Sequence, residues 1–161
     1  MRVAIRRVEG AAAFRRLARL LAEYETDLPR ELRHGSVPDS EELERAYHGE
    51  NAAFLAVNNG EPVGCVAVTR RDDRTAVLLR LFVTPKYRGV GVARALVTAV
   101  IRYARERGYE RILLDTHKDQ LAAAYRLYRS LGFVERPPFG AVDYACPTYM
   151  ELILFEINAE G

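Results

Sequence analysis

The pattern of apolar positions along this chain changes its period several times, and each change predicts a helix or a strand. Helical spacing predicts helices at residues 11–25, from Ser40 to about His48, from Val92 to Gly108 and at residues 119–131. Apolar alternation or short apolar runs predict strands at residues 2–8, 52–57, 62–69, 75–83, 111–115, 133–135 and 148–157. The elements therefore follow the order β-α-α-β-β-β-α-β-α-β-β.

This order predicts the fold class. A strand, a long helix and a second strand occupy residues 77–115, and such a connection makes a right-handed crossover between two parallel strands. The other strands are joined by short turns and are expected to pair antiparallel. We therefore expect an α+β fold (α/β three-layer), with a mixed, mostly antiparallel twisted sheet and helices on both faces. Residues 1–161 are expected to form a single domain.

Composition narrows the class of protein. The apolar share of 49% and the charged share of 29% are those of an ordinary globular protein. Cys65 and Cys146 are the only cysteines, too few for a disulfide scaffold or a zinc cluster, which favours a reducing cytoplasm and no bound metal. A net charge of +2 and the lack of a long apolar run predict neither a nucleic-acid nor a membrane partner.

The most informative segment is Leu81-Phe82-Val83-Thr84-Pro85-Lys86-Tyr87-Arg88-Gly89-Val90-Gly91-Val92-Ala93-Arg94-Ala95-Leu96. A buried strand enters a glycine-containing turn that opens a long helix, so unpaired N–H groups and two arginines can meet an anion such as a pyrophosphate. A helix that simply starts after a glycine turn is the alternative. A dinucleotide fingerprint needs glycine where Arg94 stands, and a triphosphate loop needs Gly-Lys-Ser/Thr, so neither fits.

The surroundings of this turn carry a resemblance to a known family. Arg88-x-x-Gly91-x-Ala93 is similar to the acetyl-CoA signature of the GNAT family of N-acetyltransferases. About thirty residues further on, Ala124-Tyr125-Arg126-Leu127-Tyr128-Arg129-Ser130-Leu131-Gly132-Phe133 resembles a second motif of that family. The resemblance covers residues 77–136 and implies a GNAT-like sheet with a splayed parallel strand pair.

The resemblance also implies site residues. Leu81, Phe82 and Val83 match the strand whose main chain pairs with the pantetheine arm and polarises the thioester carbonyl. The pyrophosphate loop is matched by Arg88, Gly89, Val90, Gly91, Val92, Ala93 and Arg94. Tyr128 matches the tyrosine that protonates the departing thiolate, a suitable donor because a phenol has a pKa near 10. A plain core role is the alternative for Tyr128.

Two positions depart from the family pattern. Many members carry a glutamate, acting as general base, where Val77 stands, and an asparagine that contacts the cofactor where Leu121 stands. The general base is therefore unassigned from the sequence.

Four residues are candidates for the acceptor side. His117 follows a strand and has a suitable pKa for a base, although a surface-loop role is the alternative. Glu25 follows the first helix, with a solvated turn residue as the alternative, and Tyr144 lies in a Pro-rich segment that covers the acceptor or is a simple surface crossover. Arg80 is the only charge in an apolar strand: it either pairs with a protein carboxylate or faces the site, in which case the acceptor carries a carboxylate.

The expected function is direct transfer of an acetyl group from acetyl-CoA to the amine of a small molecule or peptide. A non-catalytic acyl-CoA-binding sensor or regulatory module is the alternative, favoured by the departures at Val77 and Leu121. A protein N-terminal acetyltransferase is a narrower alternative. Pairing of late strands in this family makes a homodimer possible.

Overall fold

The computed structural model describes residues 2–155 of the chain. Within that range the elements are β1 (Ala4–Arg7), α1 (Ala11–Asp27), α2 (Ser40–Ala46), β2 (Ala52–Asn58), β3 (Glu61–Arg70), β4 (Thr75–Val83), α3 (Val92–Glu106), β5 (Arg111–Thr116), α4 (Ala122–Ser130), β6 (Val134–Glu135) and β7 (Thr148–Ile153). Short 3-10 turns follow α1 and β4, at Arg30–Leu32 and Pro85–Tyr87. The predicted order of helices and strands is confirmed.

All the strands belong to one sheet of order β1-β2-β3-β4-β5-β7-β6. The pair β4–β5 is parallel and every other neighbouring pair is antiparallel. Helix α3 makes the crossover between the two parallel strands, as the spacing of the elements predicted. The fold class is therefore confirmed: a mixed, mostly antiparallel sheet with helices on both faces.

Two apolar clusters hold the helices to the two faces of the sheet. On one face, the stripe of α3 that includes Leu96, Val97 and Val100 is buried against β3, β4 and β5. On the other face, Phe14, Leu17 and other apolar residues of α1 pack with residues of β2 and β3. We call these the α3 face and the α1 face. Each helix has apolar residues at i, i+3 and i+4, so each can bury one side against a sheet.

Element boundaries differ from the prediction by a few residues. Helix α2 is capped by Asp39, whose side chain accepts a hydrogen bond from the Glu42 N–H at 2.9 Å, whereas Ser40 was expected to start it. Helix α4 begins at Ala122 rather than residue 119. Strand β7 ends at Ile153, and the end expected at Ile157 lies outside the described residues.

No helix between residues 2 and 155 combines the length and the apolar character needed to cross a membrane.

Candidate active site

The parallel strands β4 and β5 separate partway along their length. Their register pairs Thr75 with Arg111, Ala76 with Ile112 and Val77 with Leu113. No pair is formed beyond these among residues 2–155, although β4 continues to Val83 and β5 to Thr116. Main-chain groups of β4 therefore face an opening between the carboxyl ends of two parallel strands, which is where α/β sheets bind ligands.

The turn before α3 lies beside this opening and presents bare main chain. Gly89 and Gly91 have φ angles of 77° and 92°, a left-handed conformation that favours glycine. A Cβ added at either position would meet nothing within 4 Å, so each glycine borders open space. The first turn of α3 has no side-chain cap, which leaves N–H groups and the positive end of the helix dipole for an anion. The geometry fits a pyrophosphate.

The two arginines of this turn are held by protein groups. Arg88 donates from Nε to the Val83 carbonyl at 2.9 Å and from Nη2 to Asp27 at 2.7 Å. Arg94 donates from Nη2 to the Ser130 hydroxyl at 2.9 Å. Arg88 therefore ties the turn to β4 and α1, and Arg94 ties α3 to α4. Direct contact of either guanidinium with a pyrophosphate stays a prediction.

The other predicted cofactor residues surround the same opening. Phe82 is buried on the α1 face and Val83 on the α3 face, while Leu81 is partly buried against the α3 face. Val92 is buried and anchors the start of α3, Ala93 packs partly against that core, and Val90 is exposed. The predicted set is thus brought together at one end of β4, and its role in binding stays a prediction.

Tyr128 lies on α4, with only 5% of its surface exposed, and packs against Phe133 with ring centroids 5.6 Å apart. Burial, together with nearby Tyr24 and Asp115, raises the pKa of Tyr128 above its usual value of 10. The hydroxyl therefore keeps its proton at neutral pH, as a proton donor must.

On the α1 face, a cavity of about 630 Å³ adjoins the separated strands. Its polar walls come from α1, the segment after it, β4, β5 and the loop before β7. The charged and aromatic lining residues are Tyr24, Glu25, Arg33, His34, Glu42, Arg80, Asp115, Asp143 and Tyr144. Three of the four predicted acceptor residues, Glu25, Arg80 and Tyr144, therefore line one cavity.

Glu25 is already engaged by the loop after α1. Its carboxylate lies 2.9 Å from His34 Nδ1 and accepts from the Gly35 N–H at 2.8 Å. Burial acts to raise the pKa of Glu25, but these hydrogen bonds outweigh it and lower the pKa below the ordinary value. The structure thus gives Glu25 a loop-holding role, which does not require contact with an acceptor.

Tyr144 closes the far side of the cavity. Its hydroxyl lies 2.6 Å from Asp115 Oδ1 and 3.1 Å from the Thr116 carbonyl oxygen. Burial and the neighbouring Asp115 carboxylate raise the pKa of Tyr144 above its usual range. The loop between β6 and β7 is therefore pinned to the end of β5.

His117 does not line the cavity. Its Nδ1 accepts from the Gln120 N–H at 3.1 Å, in the turn that precedes α4. The ring centroid lies 6.4 Å from that of Tyr144, which does line the cavity. His117 is half-buried, and both the role of a base and the surface-loop alternative stay untested.

Sequence reasoning missed six charged or aromatic residues of the cavity: Tyr24, Arg33, His34, Glu42, Asp115 and Asp143. Tyr24 continues the buried stripe of α1, so its spacing indicated core. His34 lies in an irregular segment with no periodic signal. Asp115 ends a short apolar strand, and a charge in that position was the one available signal, as it was for Arg80.

The chain is similar in sequence to known acetyltransferases. The model of the acetyltransferase (GNAT) family matches residues 16–133. An uncharacterised N-acetyltransferase of Schizosaccharomyces pombe is 32% identical over 137 residues, covering 83% of each chain. N-acetylaspartate synthetase of Danio rerio is 38% identical over 110 residues, 65% of this chain and 38% of that protein. The chain spans between 33% and 44% of the length of the first curated relatives.

Solved structures share the fold. A GNAT acetyltransferase of Staphylococcus aureus superposes with a TM-score of 0.81 at 22% identity, covering 96% of this chain and all of that one. The protein yncA of Salmonella typhimurium, solved with its cofactor acetyl-CoA, gives a TM-score of 0.80 at 22% identity and covers 98% of this chain and 96% of its own.

The fold is that of the GNAT acetyltransferases. The chain belongs to the GNAT family of acetyltransferases.

Proposed function

We propose that this chain is an acetyl-CoA-dependent N-acetyltransferase that transfers the acetyl group directly to an amine of a small molecule or peptide. The observation that carries the proposal is the separation of β4 from β5 beyond Val77 and Leu113. It opens the sheet so that the bare turn before α3 and the cavity on the α1 face adjoin one site. Acetyl-CoA bound to the related yncA supports the choice of donor.

In this proposal the chain positions the two substrates and supplies one proton. The N–H groups at the start of α3 hold the pyrophosphate, which contributes binding and orientation. The free edge of β4 holds the pantetheine arm, and a main-chain N–H near Val83 polarises the thioester carbonyl. The amine nitrogen bonds to the acyl carbon, the carbon–sulfur bond breaks, and the Tyr128 hydroxyl gives its proton to the thiolate. The amine gives its proton to water or to a base on the cavity side, and water returns a proton to Tyr128 before the next turnover.

Isothermal titration with acetyl-CoA, and separately with CoA, tests the binding half of the proposal. Gly91→Val should reduce the affinity about 10- to 100-fold, because a side chain there blocks one or two charged hydrogen bonds of roughly 1.5–3 kcal/mol. Gly60→Val is the matched control, since Gly60 has a φ of 79°, borders open space and lies in the β2–β3 turn. Both variants carry the same left-handed strain.

Release of CoA thiol in the presence of pooled amines tests the catalytic half. Turnover that requires an amine supports the proposal. Binding of acetyl-CoA without turnover on any amine would favour the non-catalytic sensor, and absence of binding would overturn the acetyl-CoA site itself.

A cytoplasmic location and a homodimer are further parts of this proposal. Cys65 and Cys146 are both unpaired, which suits a reducing compartment. Val134, Ile153 and Phe155 are exposed apolar residues at the β6–β7 end of the sheet, where a second copy could pack. Light scattering on the purified chain should give twice the monomer mass of 18.2 kDa, and a monomer would exclude the dimer.

A further inference from the structure

Two arginines line the cavity on the α1 face, and they differ in what they contact. Arg33 donates from Nε to the Leu28 carbonyl at 3.1 Å and from Nη2 to the Thr26 carbonyl at 3.0 Å. Among residues 2–155, the guanidinium of Arg80 forms no ion pair, and its one side-chain partner is the Tyr47 hydroxyl. Arg33 thus holds its own loop, whereas Arg80 has donors left for a ligand.

The side chain of Arg80 reaches the cavity because β4 is bulged at this residue. Cys65 pairs with Phe82 and Ala67 pairs with Leu79, so Arg80 and Leu81 together face the single residue between the partners on β3. Arg80 has a φ of 60°, uncommon for a residue with a side chain. A bulge of this kind re-aims a side chain. Here it leaves Arg80 in the cavity wall beside Leu79.

The surroundings of Arg80 are largely apolar and aromatic. Its charge acts on Tyr24, Tyr47 and Cys65: burial raises the pKa of all three, and to about 12 for Tyr24 and Cys65, while Arg80 opposes each rise. A half-buried cation without a carboxylate is costly. Strained backbone and a cation without a carboxylate partner are together typical of a residue kept for binding rather than for stability.

The opposite wall of the opening carries a carboxylate. Asp115, on β5, has one oxygen engaged by the Tyr144 hydroxyl, and its other oxygen has no hydrogen-bond partner among the described residues. Asp115 raises the pKa of Tyr24 while Arg80 lowers it, so both charges act on the same hydroxyl. The separated strands therefore present a cation from β4 and an anion from β5 to one space.

We propose that the acceptor is an α-amino acid whose carboxylate binds the Arg80 guanidinium and whose amino group faces Asp115. The inference rests on the proposed function, since it names the acceptor class of that site. Guanidinium and carboxylate form paired, charge-assisted hydrogen bonds, which select the acid over a neutral analogue. The name of the related N-acetylaspartate synthetase agrees with a carboxylate-bearing product of that enzyme.

The remaining lining indicates the side chain that such an amino acid carries. Leu21, Leu32, Val37, Leu79 and Val142 all contribute to the cavity walls. Apolar walls beside charged groups suit a ligand with a polar head and an apolar side chain, and the carboxylates of Glu42 and Asp143 in the same lining disfavour a second negative charge on that ligand. Leucine and phenylalanine are therefore expected to be better acceptors than aspartate.

Kinetics with matched acceptors test the assignment. The probes are L-phenylalanine, L-leucine and L-aspartate, each compared with its α-carboxamide, at saturating acetyl-CoA. Arg80→Gln should raise KM for the acids about 10- to 100-fold, the worth of one charged hydrogen-bond pair, and leave KM for the carboxamides unchanged. Arg80→Lys should restore part of the preference. Arg19→Gln, which removes an exposed charge on the outer side of α1, is the control and should change neither.

Asp115→Asn separates the two ends of the acceptor. This substitution should raise KM for the acids and for the carboxamides by the same factor, because both carry the amino group that faces Asp115. If Asp115→Asn raised KM for the acids alone, this orientation of the acceptor would be contradicted.

Binding in the absence of turnover distinguishes failure of this inference from failure of the proposed function. Titration of the three amino acids into the CoA-saturated chain should give binding that is lost in Arg80→Gln. If the chain binds them in this way but transfers no acetyl group, the Arg80 assignment stands and the catalytic proposal fails. If it acetylates amines but Arg80→Gln affects acids and carboxamides alike, or if none of the amino acids binds, the Arg80 assignment is wrong.

Discussion

The two faces of the sheet carry two parts of the candidate site, and these parts are built from different groups. On the α3 face, the site is made of main chain: glycines at positive φ, an uncapped helix start and the free edge of β4. On the α1 face, the site is made of side chains from α1, β4, β5 and two loops, with charges of both signs. A main-chain site depends on a short continuous sequence, whereas a side-chain site depends on segments that are far apart in the chain.

This contrast explains what the two faces can do. A pyrophosphate is the same in every molecule of acetyl-CoA, so a fixed arrangement of N–H groups is sufficient to bind it. The acceptor can vary between proteins of one fold, and side chains on loops can change without altering the sheet. We therefore expect substitutions at the α3-face site to lower acetyl transfer to every acceptor. Substitutions at the α1-face site should lower transfer to some acceptors only.

The largest expected effect comes from Tyr128, which belongs to the core of the α3 face and has Tyr24 and Asp115 of the cavity wall as neighbours. Tyr128→Phe should lower kcat by about 10²–10⁴, the usual worth of a general acid, with little change in acetyl-CoA affinity. Steady-state kinetics and titration calorimetry measure the two quantities. Tyr125→Phe is the control, because its hydroxyl donates to Glu135 at 2.7 Å on the surface. Equal losses in the two variants would show that Tyr128 is only a core residue.

A smaller effect is expected at Gly64, where β3 supports the end of β4. A Cβ there would lie 2.9 Å from the Phe82 carbonyl oxygen and 3.1 Å from Leu96 Cδ1. Gly64→Ala should therefore destabilise the fold by roughly 1–3 kcal/mol, the usual cost of overpacking a core. Thermal unfolding measures the loss. An unchanged melting temperature would show that β4 can move away from β3 at this point.

The smallest effect is expected at Glu25, on the α1 face. Because its pKa is lower in the folded chain than in the unfolded one, Glu25 stabilises the fold above its unfolded pKa. This contribution is lost as the pH falls through the folded pKa. With His34 exposed, it should stay below about 1 kcal/mol. Glu25→Gln should remove it, so wild type and variant should unfold alike in acid and differ near neutral pH.

The α3 face could largely be predicted from the sequence. The apolar spacing of α3, the crossover and the glycines at 89 and 91 act locally, and the structure has each of them as expected. The main errors were boundaries, such as the start of α4 at Ala122. The cap of α2 by Asp39 was missed because two adjacent residues, Asp39 and Ser40, are both good caps.

The α1 face could be predicted only in part. Arg80 was singled out as a lone charge in an apolar strand, but whether it was paired depended on a bulge that the sequence does not signal. Pairing of Glu25 with His34, and of Tyr144 with Asp115, joins residues that different segments bring together. Such contacts follow from tertiary packing, which local periodicity does not record.

Amide hydrogen exchange with and without acetyl-CoA tests most directly the division of the molecule into a main-chain cofactor site and a side-chain acceptor site. Acetyl-CoA alone should slow exchange at residues 79–83 and 88–96, and leave residues 30–38 of the acceptor loop unchanged. Slowing confined to residues 30–38, with none at residues 88–96, would place the cofactor on the α1 face and contradict the account.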